Sequence, residues 1–82
     1  MDVVKDFAEK LVLGLVKNPE IVKVQDFNDE DGTIILEIIV HSDDMSSVIG
    51  KSGNNIKAIR TLVQACAYKQ KINRIKINVD SI

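Results

Sequence analysis

Val48-Ile49-Gly50-Lys51-Ser52-Gly53-Asn54-Asn55-Ile56 is the stretch on which the reading of this chain turns. Two glycines three residues apart interrupt an apolar pattern that continues on both sides, through Val48 and Ile49 before them and Ile56, Ile59 and Val63 after. The spacing predicts a short helix over residues 44–49, a four-residue loop, and a longer helix running to about Tyr68 with Ile56, Ile59, Val63 and Cys66 on one stripe. Glycine lets backbone approach a ligand with no Cβ in the way, Lys51 adds a full charge, and the second helix aims free N–H groups and a partial positive charge at the loop. That combination suits an anion, and a sugar-phosphate backbone is the natural one. A tight helix–helix turn without a ligand is the competing account; the two glycines, the lysine and the charge of the surrounding segment together favour the ligand.

The charge pattern extends this reading. The chain of 82 residues has a net charge of -1, which by itself argues against a nucleic-acid partner. The two halves differ in sign, however. Residues 1–44 hold four lysines against eleven acids, 4 - 11 = -7, while residues 45–82 hold seven lysines and arginines against Asp80 alone, 7 - 1 = +6. No acidic residue lies between Met45 and Val79, so the surface built by that segment carries an uncompensated positive field suited to phosphate. Taken on charge alone, a solvated helix face with no ligand explains the segment equally well.

Working outward, Asp2 is placed to cap a helix whose apolar positions Val4, Phe7, Ala8, Leu11, Val12 and Leu15 follow the helical period, with Asn18-Pro19 as its end. Residues 21–27 and 33–40 read as a hairpin joined by Asn28-Asp29-Glu30-Asp31-Gly32. In the second of these strands Ile34, Leu36, Ile38 and Val40 alternate with Ile35, Glu37 and Ile39, and the latter face is apolar enough to be partly covered, for instance by a second subunit. Asp43 and Asp44 read as caps for the short helix. Residues 72–80 close the chain as a strand with Ile75, Ile77 and Val79 inward. The predicted order is αββααβ, an α+β fold with a three-stranded sheet covered on one face by three helices, in a single domain over residues 1–82.

The run from Val48 to Ile59 resembles the VIGxxGxxIxxI signature of KH domains, single-strand nucleic-acid binders whose GxxG loop clamps about four nucleotides. The predicted element order resembles the type II version of that fold, and the whole chain is similar to the stand-alone bacterial KhpA family, through Asp43-Asp44-Met45 before the loop and Ala58-Ile59-Arg60-Thr61 after it. The resemblance implies single-stranded RNA as ligand, and an RNA chaperone or post-transcriptional regulator as function. It implies a binding set of Ser47, Ile49, Gly50, Lys51, Ser52, Gly53, Asn54, Asn55, Ile56, Lys57 and Arg60. Within that set the loop holds phosphates, Ile49 and Ile56 brace it and floor an apolar groove with one face of the strand at residues 33–40, and Asn54, Asn55, Lys57 and Arg60 reach backbone or base edges. Many relatives carry glycine where Ser46 stands and a basic residue where Ser47 or Asn54 stands, so phosphate binding here is expected to be weaker but in the same place. The resemblance also implies pairing, as a homodimer or as a heterodimer with a larger KH-containing protein, and pairing as the main role is the alternative function.

Other chemistries find little support. The tripeptide Gly50-Lys51-Ser52 invites comparison with a nucleotide-triphosphate loop, but GxxxxGK[ST] needs a glycine where Met45 stands, and no strand directly precedes the loop. His41 is the sole histidine and has no nearby cysteine with which to hold a metal. Cys66 falls on an apolar stripe and reads as a small buried hydrophobe. No catalytic residues, metal or cofactor are expected. A lone cysteine suits a reducing cytoplasm, and the N-terminus, interrupted by Lys5, Asp6, Glu9 and Lys10, does not read as a secretory segment. With only two phenylalanines and one tyrosine, none near the loop, stacking is not expected to dominate, and binding should be micromolar or weaker and steeply salt-dependent.

Overall fold

The computed structural model describes all 82 residues. Helix α1 spans Asp2–Leu13, strand β1 Lys23–Asn28, strand β2 Ile34–Val40, helix α2 Met45–Ile49, helix α3 Asn54–Lys69 and strand β3 Ile75–Ser81. Single 3₁₀ turns at Pro19–Ile21 and Ser42–Asp44 and a tight turn at Lys51–Gly53 join them. The order is the expected αββααβ.

β2 is the central strand of a mixed sheet ordered β1-β2-β3. It runs antiparallel to β1, with Gln25 opposite Glu37, and parallel to β3, with Leu36 opposite Ile77. Its β-branched and aliphatic residues suit a position bonded on both sides. Alternation then sorts them: Leu36, Ile38 and Val40 are fully buried, joined by Ile75 and Ile77 of β3. Against this face lie Val4, Ala8 and Val12 of α1, Val48 of α2, and Ile59, Val63 and Ala67 of α3. Each fully buried aliphatic side chain contributes about 1.5–3 kcal/mol, whereas an exposed ion pair such as Lys10–Asp6 contributes at most about 1 kcal/mol. Packing of the three helices on one sheet face therefore dominates the stability.

The opposite face carries Phe27, Ile35 and Ile39, all partly exposed, and Gln25 donating to the Glu37 carboxylate at 2.9 Å. No element of this chain covers it.

Several boundaries differ from expectation, each for a local reason. α1 stops at Leu13 rather than at Asn18-Pro19. Gly14, a poor helix former, sits at its C-cap, and the amides of Lys17 and Asn18 donate instead to the carboxylate of Asp44 at 3.0 Å each. Asp2 makes no side-chain cap; it is the first helical residue, with Met1 at the N-cap, and its charge favours the first turn. Nor does Asp44 cap α2, since its carboxylate is spent on Lys17 and Asn18. His41 does the local capping, its Nδ1 accepting from the Asp43 amide at 3.0 Å. β1 and β2 begin at Lys23 and Ile34, two residues and one residue later than expected.

β3 begins at Ile75, not at residue 72, because the end of α3 is longer than the apolar pattern suggests. The Ile72 amide donates back to Ala67 O and the Lys71 amide to Tyr68 O, both at 2.9 Å, and Lys71 is left-handed at φ 65°. That is a Schellman ending with lysine where glycine is usual.

Candidate nucleic-acid interface

Gly50 takes the chain out of α2 with φ 76° and ψ 173°, a region essentially closed to other residues. Lys51, Ser52 and Gly53 then make one tight turn, with Ser52 at φ 57° and Gly53 at φ 75°, and α3 starts at Asn54. Not all of the loop's amides are free, contrary to the simple expectation of a bare helix start. The Gly50 amide donates to Ser46 O at 2.8 Å, the Gly53 amide to Gly50 O at 3.1 Å, and the Asn54 amide to Lys51 O. Lys51 and Ser52 open the turn, where an amide has no acceptor within it, and the amide of neither donates a loop or side-chain hydrogen bond. Both are exposed. The loop's unpartnered donors are thus the amides of Lys51 and Ser52 at its crest.

Asn55 holds this shape from beneath. Its Nδ2 donates to Ser47 O at 2.8 Å, and its side chain lies so close under Gly50 that a Cβ there would stand 2.6 Å from Asn55 Cγ. The same construction at Gly53 meets nothing nearer than Ile56 Cγ2 at 3.9 Å. One amide N–H bond of Asn55 is thereby committed internally, a role that the sequence did not signal.

The remaining expected residues divide by burial. Ile56 is 8% exposed and belongs with the core, whereas Ile49 is 37% exposed and offers an apolar surface next to Gly50. Asn54, Lys57 and Arg60 are exposed, and Ser47 is half-buried with its carbonyl taken by Asn55. Arg60 Nε donates to Ile77 O at 3.3 Å. Ile34 donates to Arg74 O and Ile82 to Val40 O, so the backbone groups of the even-numbered residues of β3 face β2 and the carbonyl of Ile77, whose side chain is buried, points to the open edge. Arg60 accordingly lies along the open edge of β3, and its remaining guanidinium N–H groups are available.

The inward face of β2 does not floor a groove, because Leu36, Ile38 and Val40 are fully covered by the helices. The strand that borders α3 through Arg60 is β3. None of Lys51, Lys57 and Arg60 has a carboxylate within ion-pair distance; the molecule's lysine–carboxylate pairs are Lys5–Asp26 and Lys10–Asp6.

Asp44 is the only buried charged residue. Backbone donation from Lys17 holds its carboxyl below the usual aspartate range; burial works against that, and the side-chain and backbone amides of Asn18 and the nearby His41 add to it. It is a structural tether, 26 and 27 residues distant in sequence from its partners. No group of histidines, cysteines and acids is arranged to hold a metal, and no helix is long and apolar enough to cross a membrane.

A three-stranded mixed sheet, three helices on one face and a glycine-bracketed turn between the last two define a type II KH domain. The profile described as KhpA/KhpB, KH domain matches residues 5–79, and the chain belongs to that family. It is a KH-domain family and not an enzyme family. Among relatives, the chain is 41% identical to the RNA-binding protein KhpA of Thermotoga maritima over 89% of its own length and 96% of the relative's. It is 39% identical to the RNA-binding protein KhpA of Halalkalibacterium halodurans over 92% and 96%. Among solved structures it resembles Era, crystallised with MgGDPNP and nucleotides of 16S ribosomal RNA, with a TM-score of 0.63 and 18% identity. That likeness covers 96% of this chain but 30% of the Era chain, and it concerns the fold alone.

Proposed function

We propose that this protein binds single-stranded RNA by gripping the sugar-phosphate backbone with the Gly50–Gly53 turn, and that it acts as an RNA chaperone or post-transcriptional regulator without chemistry of its own. The observation that carries the reading is the crest of the loop: two amides without partners on exposed residues, a lysine there with no carboxylate partner, and a backbone path that only glycine permits at Gly50. A phosphate there meets donors already in place. Lys57 and Arg60 supply further cations along the same side, and Ile49 supplies apolar contact for a sugar or base. Asn55 serves the site indirectly, by fixing the turn. Family membership and the names of the two relatives agree with RNA as the ligand.

A second reading, pairing with another copy or with a larger KH protein as the main role, is favoured by the uncovered sheet face with Phe27, Ile35 and Ile39. The two readings are compatible, and one variant separates them. Lys51→Asp with Ser52→Asp leaves both glycines in place, and aspartate tolerates the left-handed backbone of Ser52. It should keep the circular-dichroism spectrum and oligomeric state of the wild type while losing RNA binding in a fluorescence-anisotropy titration. RNA affinity equal to that of the wild type would remove the loop as the site.

A further inference from the structure

Helix α3 carries more than the turn at its start. Lys57, Arg60, Gln64 and Tyr68 succeed one another at spacings of three, four and four residues, which puts them on one stripe of the helix, and all four are exposed. The stripe is displaced around the helix from the buried one of Ile56, Ile59, Val63 and Ala67. Two contacts say where it lies. Lys57 is adjacent to the loop, its Cε 4.0 Å from the Cβ position of Gly53, and Arg60 bonds Ile77 O on the open edge of β3. The stripe therefore starts at the proposed phosphate grip and runs beside the sheet edge.

Tyr68 stands two turns past Arg60, about 12 Å along the helix. It is 62% exposed, and Lys71, also exposed, is bound to it through the 2.9 Å bond to Tyr68 O. A single exposed tyrosine ordinarily needs no explanation. This one terminates a stripe with a cation at each end, Lys57 and Arg60 on the loop side and Lys71 beyond it, none of them with a carboxylate partner, in a segment without an acidic residue from Met45 to Val79. A single-stranded polynucleotide is a series of phosphates carrying flat rings, and an exposed aromatic flanked by unpaired cations complements it in both charge and shape.

We propose that the stripe from Lys57 to Tyr68, closed by Lys71, extends the loop's binding site, so that RNA longer than the roughly four nucleotides held by a KH loop runs along α3 and stacks a base on Tyr68. This rests on the RNA-binding reading above and adds to it a footprint and a stacking residue at the far end of the helix.

Tyr68 is the only tyrosine and there is no tryptophan, so the full chain labelled with 3-fluorotyrosine has one fluorine resonance that reports on this ring alone. Titration with a four-nucleotide and a twelve-nucleotide oligouridylate, followed by anisotropy and by that resonance, is the test. Both oligomers should bind, but only the longer should shift the resonance. Tyr68→Ala should weaken the longer about tenfold and leave the shorter unchanged, Tyr68→Phe should bind both like the wild type, and Lys71→Gln should lower the salt slope for the longer by about 0.7. The inference is overturned if the longer oligomer binds with the resonance unmoved, or if Tyr68→Ala weakens both oligomers equally. It is overturned too if the resonance responds to protein concentration rather than to RNA, which would make Tyr68 a protein contact. Binding of neither oligomer would remove the RNA reading itself and this extension with it, a result distinct from the other three.

Discussion

Gly50 and Gly53 share a motif but answer to different constraints. Gly53 is left-handed, and a Cβ there would make only ordinary van der Waals contacts with Ile56 and Lys57, so Gly53→Ala incurs only the conformational cost, about 1–2 kcal/mol. Gly50 lies where other residues scarcely go and has Asn55 packed beneath it. Gly50→Ala should therefore cost about 1–3 kcal/mol for backbone strain and more for the displaced Asn55, which would also lose its bond to Ser47 O. Urea denaturation of the two single variants, and of Gly50→Ala in an Asn55→Gly background, separates the terms. The background should recover part of the loss, and equal costs at the two glycines would show that Asn55 does not constrain the turn. The need for glycine at position 50 is legible from the sequence, but the reason is not, because Asn55 reaches back eight residues to a carbonyl that no pattern marks.

The ends of the helices follow the same division. α3 ends on Lys71, a lysine in the left-handed C′ position, one place past the cap. Its charge is well placed near the helix C-terminus, but its Cβ is not. Lys71→Gly is expected to raise stability by about 0.5–1 kcal/mol, read as a higher urea midpoint at unchanged slope, with the Ile72 to Ala67 bond intact. A lower midpoint would mean that the lysine side chain contributes more than its backbone strain costs. The apolar stripe of α3 was readable throughout, since Ile56, Ile59 and Val63 repeat at helical spacing. Its continuation through the Schellman turn was not, since Ile72 is as good a first strand residue as a last helix contact until its amide is seen to turn back.

At the scale of the whole molecule, Asp44 ties the connection after α1 to the turn before α2, and its ionisation links fold stability to pH. Its native carboxyl titrates below the ordinary value of 3.8. The stabilisation is therefore complete above the ordinary aspartate range and is lost as the pH falls through the lower native value. Asp44→Asn should flatten that part of the acid-unfolding profile and lower stability at neutral pH, while Asp43→Asn, whose side chain is 81% exposed, should do neither. Stability measured by urea melts from neutral pH down to acid checks this, and an unchanged acid limb in Asp44→Asn would assign the pH dependence elsewhere. The tether explains why α1 ends at Leu13 when its apolar period runs on to Leu15.

By itself the sequence determined the element order, the apolar faces of α1, α3, β2 and β3 and the position of the loop, because helical and strand periods and the conformational freedom of glycine are properties of a few adjacent residues. Only the tertiary structure decided that β3 lies parallel beside β2, that Arg60 covers its outer edge, that Asp44 serves α1 and not α2, and that the donors at the loop's crest belong to Lys51 and Ser52. The partners in the first three are 17 to about 40 residues apart, and the loop's bonding depends on the backbone angles at Gly50 and Ser52. Such pairings are settled by competition among all the ways the chain can pack, and no local pattern encodes the outcome.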